Sequence, residues 1–406
     1  MAKIGFREWW AVGQAMTSTE LLRYGAGNRF TSRFEKRFGA MIGSSQVLAV
    51  TSGTAALTTA LAAAGIGPGD EVLVPAYTWM ATATAPVMVG AVPVLVDIDD
   101  TLTMDPIDLE AKITPYTKAI IPVHMVNLPA NMDAIMKIAR KHNLIVIEDA
   151  CQAVGVRYKD RFCGAIGDAG CFSFNPAKNM NIGEGGAIAT SDPKLFRRAL
   201  NYHDLGVWAR NHKLDDAEPI FIGHNFRANE IQGAMLNEQL SRLQPMLNRM
   251  KVRRKIIADV IEREGNIRIA PHNDPENAVS LAVILDTEEE AIEFGKRRGA
   301  FRVFDNSKHI YTYWQAIMER RTAHPKMNPW AWANRDVSYS AESCARSLDI
   351  LRRTCRIRLS ENFPTVLAHR KAGRLAQPLS TGKRTAAPTA TVEPKPVMGQ
   401  GSVFAE

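Results

Sequence analysis

LIVIEDA, at residues 144–150, decides the fold class, because four consecutive apolar residues lead directly into two carboxylates. Comparable apolar runs flank it on both sides: QVLAV (46–50), EVLVP (71–75), PVLVDID (93–99) and AIIPVH (119–124) before it, and CFSF (171–174) after it. Helical patterns separate several of these runs, as at 54–64 and 132–142. Continuously apolar strands are buried on both faces, and helices between them imply a mainly parallel sheet. The sequence therefore predicts an α/β fold.

Two folded domains with a segment at each end are predicted for this chain of 406 residues. Leucines recur every three or four residues in a helical pattern over 228–261. Beyond it, AVSLAVILD (278–286) predicts a strand and 287–298 a charged, exposed helix. The C-terminal residues are rich in Pro, Thr, Ala and Gly without periodicity, which is typical of a flexible segment. The predicted parts are an N-terminal segment (1–20), a large α/β domain (21–250), a small C-terminal α+β domain (251–365) and a flexible basic tail (366–406).

Composition and charge narrow the class of protein. Hydrophobic residues make up 46% and charged residues 23% of the chain, as in ordinary globular proteins, and no apolar run predicts a membrane span. The net charge of +8 does not indicate nucleic acid binding, because the predicted tail supplies much of it and no nucleic-acid motif is visible. Five scattered cysteines do not suggest a disulfide framework, and no secretory signal is evident, so a cytoplasmic location is expected.

Lys178 is the first candidate for catalysis. It lies in CFSFNPAKNMNIGEGGAIA (171–189), after an apolar strand and before a glycine-rich segment. Most lysines are solvated surface charges, but an amine in a partly enclosed setting is desolvated and loses its proton more easily. A Schiff-base nucleophile needs that property. Ser173, five residues earlier, is placed to offer a hydroxyl to a phosphate.

Asp149, at the end of LIVIEDA, is the second candidate. Ligands of open α/β sheets gather beyond the carboxyl ends of the strands, although a helix cap explains such a carboxylate equally well. In a pyridoxal 5′-phosphate (PLP) enzyme, an acid here pairs with the pyridine nitrogen and keeps it protonated, so that the ring draws off the electrons of the substrate carbanion. Gln152 is placed to reach the phenolic oxygen of that cofactor.

Two further motifs suit a flat, anionic cofactor. Gly53 and Thr54, in VTSGTAAL (50–57), stand between a strand and a helix, where free N–H groups and the helix dipole favour an anion. The turn is neither a Walker loop nor a GxGxxG fingerprint. Trp79, in VPAYTWMATATA (74–85), follows a strand and can stack on a heteroaromatic ring, although most tryptophans in such places belong to a core or an interface.

Five motifs stand in the order seen in the DegT/DnrJ/EryC1/StrS aminotransferases, which this sequence resembles from about residue 20 to 250 and more weakly to about 360. They are TSGTAAL (51–57), VPAYTWMATA (74–83), IEDACQAVG (147–155), FSFNPAKNMNIGEGG (172–186) and GHNFRANEIQGAM (223–235). Members of this family are fold-type I PLP enzymes that aminate keto sugars and cyclitols. The resemblance implies that fold, PLP as the cofactor and a keto sugar or keto-cyclitol as the acceptor.

The resemblance also implies a role for each candidate. Lys178 forms the internal aldimine and later shuttles a proton as general acid and base, while Asp149 pairs with the pyridinium nitrogen. The other implied cofactor contacts are Trp79 on the ring, Gln152 on its hydroxyl side, and Gly53, Thr54 and Ser173 at the phosphate. An asparagine of the family's GxNxR segment, here Asn225, comes from the partner subunit, with Arg227 close by as a tentative substrate contact. A homodimer with a shared active site is therefore expected, with glutamate or glutamine as the amino donor.

Some features depart from the family pattern. Many members carry HLYGxPADMD where this chain has HMVNLPANMD (124–133), so that Val126 and Asn127 replace an aromatic residue and a glycine. This difference is expected to change the substrate pocket. FDNSKHIYTYW (304–314) and HPKMNPW (324–330) resemble only part of the family. They supply three candidates for substrate contact, each equally well explained by packing: His309, Trp314 and His324.

Two other functions fit the same fold. A PLP-dependent sugar dehydratase is the first, but the dehydratases that stop transamination replace the lysine with histidine, and this chain keeps Lys178. Another dehydratase type needs an iron–sulfur cluster, and the five cysteines show no close ligand motif such as CxxC; no metal site is predicted. The second is a non-catalytic PLP-fold protein that regulates or binds a partner. Such a protein could lose Lys178 or Asp149 without consequence, whereas this chain keeps both.

Overall fold

A seven-stranded sheet is built from the apolar runs of the sequence. The computed structural model describes residues 4–17, 20–24, 29–207, 219–264, 267–359 and 364–379. In spatial order the strands are β1 (Gln46–Val50), β9 (Gly186–Thr190), β8 (Ala169–Ser173), β5 (Ile145–Asp149), β4 (Thr117–Ile120), β2 (Glu71–Pro75) and β3 (Val92–Val96). Only β9 runs antiparallel to its neighbours within this sheet. The prediction of a mainly parallel sheet is therefore confirmed.

Helices cover the sheet. Every residue of β2, β3, β8 and β9 is buried, and because successive side chains point to opposite faces, both faces must be covered. The helices of this part are α1 (Phe6–Met16), α2 (Phe30–Ile42), α3 (Gly53–Ala63), α4 (Ala81–Met88), α5 (Pro106–Ala111), α6 (Met132–His142) and α7 (Pro193–His203), with a small hairpin of β6 (Arg157–Tyr158) and β7 (Arg161–Phe162).

Two predicted strands are shorter than their apolar runs. The run at 93–99 leaves the ladder after Val96, because the Asp97 N–H donates to the Asp108 carboxylate at 2.6 Å and the Asp97 carbonyl accepts from the Asp105 N–H at 2.9 Å. The run at 119–124 likewise leaves the ladder after Ile120. The polar residues at the end of each run thus lie beyond the sheet, where they contact other segments.

A second, smaller sheet forms the C-terminal part. Its strands, all antiparallel, are β10 (Arg268–Ile269), β11 (Ala282–Ile284), β13 (Thr354–Ile357) and β12 (Ala300–Arg302) in spatial order. The remaining helices are α8 (Glu230–Glu264), α9 (Glu288–Gly295), α10 (Gln315–Met318), α11 (Pro329–Trp332), α12 (Ala345–Arg353) and α13 (Thr365–Leu375). Short 3-10 turns lie at Met125–Asn127, Pro275–Asn277, Ser307–His309, Tyr311–Tyr313, Pro325–Met327 and Ala341–Cys344.

Helix α8 joins the two cores. Its residues from Leu236 to Leu247 pack in the core of the large sheet, whereas Ile257 and Ile261 pack in a second core with the small sheet. We propose that the domains divide within this helix, near the boundary at 250 expected from the sequence. Tyr311 packs in the core of the large sheet, although the domain boundaries expected from the sequence assign it to the small domain.

The predicted flexible tail begins too early. Residues 366–375 lie in α13, because Ala368, Ala372 and Leu375 are spaced by four and three residues and bury one helical face in the second core. The sequence pattern did not indicate this helix, because its few apolar residues alternate with basic ones. Residues 380–406, the rest of the expected tail, lie outside the described residues.

Three general properties bear on function. Among the described helices, none is long and apolar enough to cross a membrane. All five cysteines are buried and form no disulfide. In the described part of the chain, no group of three or more His, Cys, Asp or Glu side chains could hold a metal ion.

Candidate active site

A cavity of about 560 Å³ lies beyond the carboxyl ends of β5 and β8, at the start of α3. Its size is within the range of small-molecule and cofactor sites. Asp149 and Ser173 are the last residues of β5 and β8, and these parallel strands end at the same edge of the sheet. Seven predicted cofactor contacts therefore line the cavity together: Gly53, Thr54, Trp79, Asp149, Gln152, Ser173 and Lys178.

Lys178 is held on a turn between β8 and β9. Asn175 organises that turn: its side-chain oxygen accepts from the Ala177 N–H at 3.0 Å, and its carbonyl accepts from the Lys178 N–H at 3.0 Å. Asparagine commonly forms turns in this way. The loop is closed behind the lysine by Phe174, whose carbonyl accepts from the Ile182 N–H at 3.0 Å. Lys178 is consequently half-buried at the cavity wall.

Asp149 is held rigidly at the end of β5. Its Oδ1 accepts from the Cys151 N–H at 3.1 Å, and its Oδ2 accepts from Thr82 Oγ1 at 2.7 Å. Thr82 Oγ1 lies 2.8 Å from Thr78 Oγ1, so two hydroxyls form a chain that ends on the carboxylate. The residues after Asp149 form turns and not a helix, so the role of helix cap does not apply. The carboxylate is instead fixed at the cavity.

The N-terminus of α3 lies at one side of the cavity, and this side suits an anion. Ser52 caps this helix, its Oγ accepting from the Ala55 N–H at 3.1 Å, and the remaining first-turn N–H groups have no partner within the helix. Those groups and the helix dipole favour negative charge. Gly53 leaves no room for a side chain, because a Cβ there would lie 2.8 Å from both Cys151 Sγ and Ser173 Cβ. The main chain and Ser173 thus come together as a phosphate cradle requires.

Trp79 and His309 form an aromatic wall. Trp79 is 45% exposed, and its ring centroid lies 5.7 Å from that of His309 in a T-shaped arrangement. The side-chain amide of Asn306 donates to His309 Nδ1 at 2.8 Å, so the ring hydrogen is on Nε2. Burial, with positive charges led by Lys178 and Arg356, lowers the pKa of His309 to about 4. The imidazole is therefore neutral near pH 7.

The segment HMVNLPANMD brings two residues to the cavity in an uncommon backbone conformation. Val126 (φ 50°) and Asn127 (φ 67°) both lie in the left-handed region, which costs free energy, above all for a β-branched residue. His124 holds the segment from behind: its Nδ1 accepts from the Ala130 N–H at 3.1 Å, and its Nε2 lies 2.8 Å from the buried Glu148 carboxylate. Val126 and Asn127 line the cavity where the family pattern has an aromatic residue and a glycine.

Asn225 and Arg227 do not line the cavity of their own chain. Asn225 is exposed, on a segment that forms a β-bridge with Asp204. The Arg227 guanidinium forms an ion pair with the buried Asp204 carboxylate.

Of the four tentative substrate residues, His309 alone lines the cavity. Trp314 is 1% exposed in the large core, and its Nε1 donates to the Lys308 carbonyl at 3.3 Å. His324 is exposed and caps a 3-10 turn, its Nδ1 accepting from the Lys326 N–H at 3.1 Å. Packing explains Trp314 and capping explains His324.

Two residues of the site were missed in the sequence. Thr82 follows Trp79 by three residues, which is nearly one helical turn, and that spacing was a usable signal. Arg356 stands in β13 of the small domain yet lines the cavity. No local pattern around Arg356 indicates this, since its position depends on how the two domains meet.

The donor set fits PLP. Lys178 supplies an amine for an aldehyde carbon, Asp149 a carboxylate for a ring nitrogen, and Trp79 an indole for an aromatic face. Gly53 and Ser173 approach each other closely enough that no side chain can intrude on the anion end. These are the chemical features that a phosphorylated pyridine aldehyde requires.

A comparison with sequence models of known families identifies the family of this chain. The sequence model of the DegT/DnrJ/EryC1/StrS aminotransferase family matches residues 7–334. The chain belongs to this family. The resemblance carried by the five motifs is thereby confirmed, and the protein is an aminotransferase by family.

Named relatives share much of the sequence. The spore coat polysaccharide biosynthesis protein SpsC of Bacillus subtilis is 39% identical over 267 residues, 64% of this chain and 69% of that protein. The UDP-N-acetyl-3-dehydro-alpha-D-glucosamine 3-aminotransferase of Acidithiobacillus ferrooxidans is 46% identical over 194 residues, 47% of this chain and 51% of that protein. A putative L-glutamine:3-amino-2,3-dideoxy-scyllo-inosose aminotransferase of Streptoalloteichus tenebrarius is 38% identical over 249 residues, 61% of this chain and 59% of that protein. The matched segments thus span only part of each relative.

Solved structures share the fold over nearly the whole chain. 3-Amino-5-hydroxybenzoic acid synthase superposes with a TM-score of 0.77 at 27% identity, covering 92% of this chain and 96% of that one. The E. coli GDP-4-keto-6-deoxy-D-mannose-3-dehydratase gives a TM-score of 0.76 at 20% identity, covering 92% and 98%, and this likeness concerns the fold alone. The predicted fold class is confirmed.

Proposed function

We propose that this aminotransferase uses PLP to move an amino group from L-glutamate or L-glutamine to a keto sugar, carried by a nucleotide, or to a keto-cyclitol. The observation that carries the proposal is the meeting of Lys178, Asp149 and the Gly53 turn around one cavity. An amine and a carboxylate, fixed beside an anion site, are the groups that transamination needs from the protein.

Lys178 and Asp149 are the two residues to which we assign catalytic roles. PLP, when bound, supplies an electron sink for the carbanion formed at the donor α-carbon. Lys178 Nζ would hold the cofactor at its aldehyde carbon, and its free amine would take up and return the proton of the donor α-carbon, as base and then acid. Asp149 holds a proton on the ring nitrogen, and Thr82 orients its carboxylate for that task.

The other lining residues bind and orient. Gly53, Thr54 and Ser173 would bind the phosphate, and the close contacts around Gly53 let the main chain approach it without an intervening side chain. Trp79 would cover one face of the ring and Gln152 would contact its hydroxyl side. Such an arrangement would hold the reacting atoms next to Lys178, and this proximity lowers the entropic part of the barrier.

The acceptor class is supported by two relatives. The name of one describes a 3-dehydro amino sugar linked to UDP as its substrate, and the name of the other an amino-dideoxy-scyllo-inosose with L-glutamine as donor. The cavity presents the Gln152 side-chain amide, the Asn127 NH2 group and the Asn179 side-chain oxygen, which together can donate to and accept from ring hydroxyls. A hydroxylated six-membered ring suits such a lining.

We further propose a homodimer in which Asn225 completes the cavity of the partner. Support comes from its exposure and from its absence among the residues that line its own cavity. The five unbonded cysteines suit a reducing compartment, which supports the expected cytoplasmic location.

An absorbance spectrum tests the cofactor and the first half-reaction. Purified protein with PLP should show a band near the visible edge that L-glutamate or L-glutamine shifts toward the pyridoxamine form. Lys178→Ala should lose that band and all turnover, whereas Lys137→Ala, which removes an exposed lysine of α6, should behave as wild type.

Each other outcome selects another function. Cofactor that binds through Lys178 but ignores both donors would favour the sugar dehydratase. Protein that takes up no PLP would favour the non-catalytic PLP-fold protein. A wild-type response that Lys178→Ala retains would remove the central role of this lysine.

A further inference from the structure

His124 is a fully buried histidine that the proposed function leaves without a task. It lies beyond the end of β4 and begins a turn, residues 124–130, that supplies part of the cavity wall. His124 and its partner Glu148, in β5, are both 0% exposed. A buried polar pair is costly unless its donors and acceptors are satisfied, so the contacts of this pair indicate what it holds in place.

Glu148 provides a fixed base for the histidine. Its carboxylate accepts from three backbone N–H groups of the loop 164–167, at 2.6 to 2.8 Å, and lies 2.8 Å from His124 Nε2. Burial opposes the charge of Glu148, but the hydrogen bonds from His124 and from the backbone outweigh it and lower the pKa of this carboxyl. Glu148 therefore stays ionised, and the pair is fixed to the strand that ends at Asp149.

The His124 ring closes the turn that follows it. The Ala130 N–H donates to Nδ1 at 3.1 Å, which leaves the ring hydrogen on Nε2, facing Glu148. At the other end of the turn, the His124 N–H donates to the Asp149 carbonyl at 3.1 Å. Ala130 is itself buried, so its N–H depends on Nδ1 for a partner. His124 thus ties both ends of the turn to β5.

The turn needs this closure because its backbone is strained. Val126 (φ 50°) and Asn127 (φ 67°) are consecutive residues in the left-handed region, and neither is glycine. Residues held in this region cost free energy and persist only where the surrounding structure fixes them. If Ala130 loses its bond to Nδ1, the turn can relax toward ordinary backbone angles. Such a relaxation moves two residues of the cavity lining.

The strained turn contacts the residues that carry the proposed chemistry. Asn127 Oδ1 accepts from the side-chain amide of Asn179, the residue after Lys178, at 2.7 Å. The Asn127 backbone N–H donates to the Gln152 carbonyl at 2.9 Å. A change in the turn therefore reaches the lysine loop directly, although His124 itself does not line the cavity.

We infer that His124 is a positioning residue for Lys178 and acts through the strained turn at Val126 and Asn127. This role rests on the proposed function, in which Lys178 reacts with the cofactor and the donor. Nδ1 closes the turn, whereas Nε2 fixes the ring to Glu148. The two tasks are separable, because the amides of asparagine and glutamine reach the positions of Nδ1 and Nε2 respectively.

Two substitutions of His124 separate these tasks. His124→Asn keeps an acceptor for the Ala130 N–H but does not reach Glu148, whereas His124→Gln keeps a donor for Glu148 and leaves Ala130 without an acceptor. In PLP-loaded protein, His124→Gln should slow the half-reaction with L-glutamate or L-glutamine about tenfold or more, and His124→Asn less than about threefold. Stability in denaturant should show the opposite order, because His124→Asn takes a donor from the buried Glu148 charge.

His142→Gln is the matched control. His142 also pairs with a glutamate, its Nε2 lying 3.2 Å from Glu110, but it stands at the end of α6 and does not line the cavity. This variant should stay within about twofold of the wild-type half-reaction rate, because a partly exposed pair contributes little. In the double variant, His124→Gln should add little to the slowing caused by Asn127→Ala, because both act through one turn.

Hydrogen exchange of the cofactor-free protein gives a readout that needs no reaction. The amides of the lysine loop, residues 175–183, should exchange faster in His124→Gln than in His124→Asn or His142→Gln. Exchange measured by mass spectrometry on peptides from this loop checks the expectation. This readout reports the position of the loop even in a protein that does not transaminate.

Three results would overturn the inference. The first is a half-reaction rate that follows stability in both His124 variants, which would leave His124 a purely structural residue. The second is unchanged exchange of loop 175–183 in His124→Gln. The third is a half-reaction slowed about tenfold in His124→Asn, which would contradict the task of Nδ1.

Failure of the proposed function has a different signature. Wild-type protein that binds PLP but responds to neither donor would refute the proposed function. Faster exchange of loop 175–183 in His124→Gln would then still support the positioning of the lysine loop by His124.

Discussion

Asn179, the residue after Lys178, donates its side-chain amide to Asn127 Oδ1 at 2.7 Å and to the Val154 carbonyl at 2.9 Å. Asn127 in turn donates its backbone N–H to the Gln152 carbonyl at 2.9 Å. The lysine loop is thus tied to the segment in which this chain departs from the family pattern. A glycine at Asn127 would leave Asn179 without this acceptor.

Two substitutions of Asn127 should separate the effect of its backbone strain on stability from the effect of its hydrogen bond with Asn179. Asn127→Gly relieves the left-handed backbone but loses the acceptor, so its unfolding free energy should stay within about 1 kcal/mol of wild type. Asn127→Ala loses the bond and keeps the strain, so it should be less stable than Asn127→Gly in denaturant unfolding. Both should slow the donor half-reaction about tenfold, because the Lys178 loop loses a fixed neighbour. Equal half-reaction rates in all three proteins would show that the bond does not position the lysine.

Asp149 should act through its charge and Thr82 through orientation. Asp149→Asn keeps the shape of the side chain but cannot hold the ring nitrogen protonated, so turnover should fall about 100-fold or more while some cofactor is retained. Thr82→Val removes one hydrogen bond to the carboxylate and should lower turnover less, by about tenfold. Steady-state rates and the PLP content of each variant check this. A Thr82→Val defect as large as that of Asp149→Asn would contradict a merely orienting role.

Gly53 should be required for cofactor affinity. In Gly53→Ala the new Cβ meets Cys151 Sγ and Ser173 Cβ, so the cradle must open and PLP affinity should fall about tenfold or more. Gly13→Ala is the matched control, because a Cβ at this α1 position meets nothing within 4 Å. Equilibrium dialysis against PLP measures both. Normal affinity in Gly53→Ala would mean that the phosphate is held elsewhere.

Subunit mixing should test the shared cavity. Lys178→Ala and Asn225→Ala should each be strongly impaired alone. When the two chains are co-expressed, a mixed dimer has one cavity with both residues intact, so activity should return to about a quarter of wild type. Turnover of the mixture against the separate variants measures this. An Asn225→Ala defect without any recovery on mixing would place Asn225 in the cavity of its own chain.

His309 should make the protein sensitive to acid. Its pKa is lowered to about 4 by burial and by the neighbouring cations, against an ordinary value of about 6.5. The unfolded chain therefore binds a proton more readily, so stability is complete above about pH 6.5 and is lost as the pH falls toward 4. In urea unfolding near pH 7 and pH 5, His309→Gln should lose less stability than wild type. Equal losses would mean that His309 does not titrate in this range.

Much of the site was predictable because it lies at strand ends. Asp149 and Ser173 end β5 and β8, and Gly53 begins α3, so an apolar run followed by a polar residue was a direct signal. The same reasoning was less successful for the C-terminal third. Trp314 and His324 were candidates from segments that resemble only part of the family, and the structure places one in the core and the other at the surface.

The sequence by itself determined the α/β class, the mainly parallel sheet and the family, because these depend on local periodicity and on motifs of contiguous residues. The tertiary structure decided that Arg356 and His309 face Lys178, that residues 366–375 form a helix of the second core, and that Asn127 is bonded to Asn179. Each of these depends on how the two domains or two loops pack together. Such contacts join residues far apart in the chain, and the free energy that selects them comes from burial and charge compensation, which local spacing does not record.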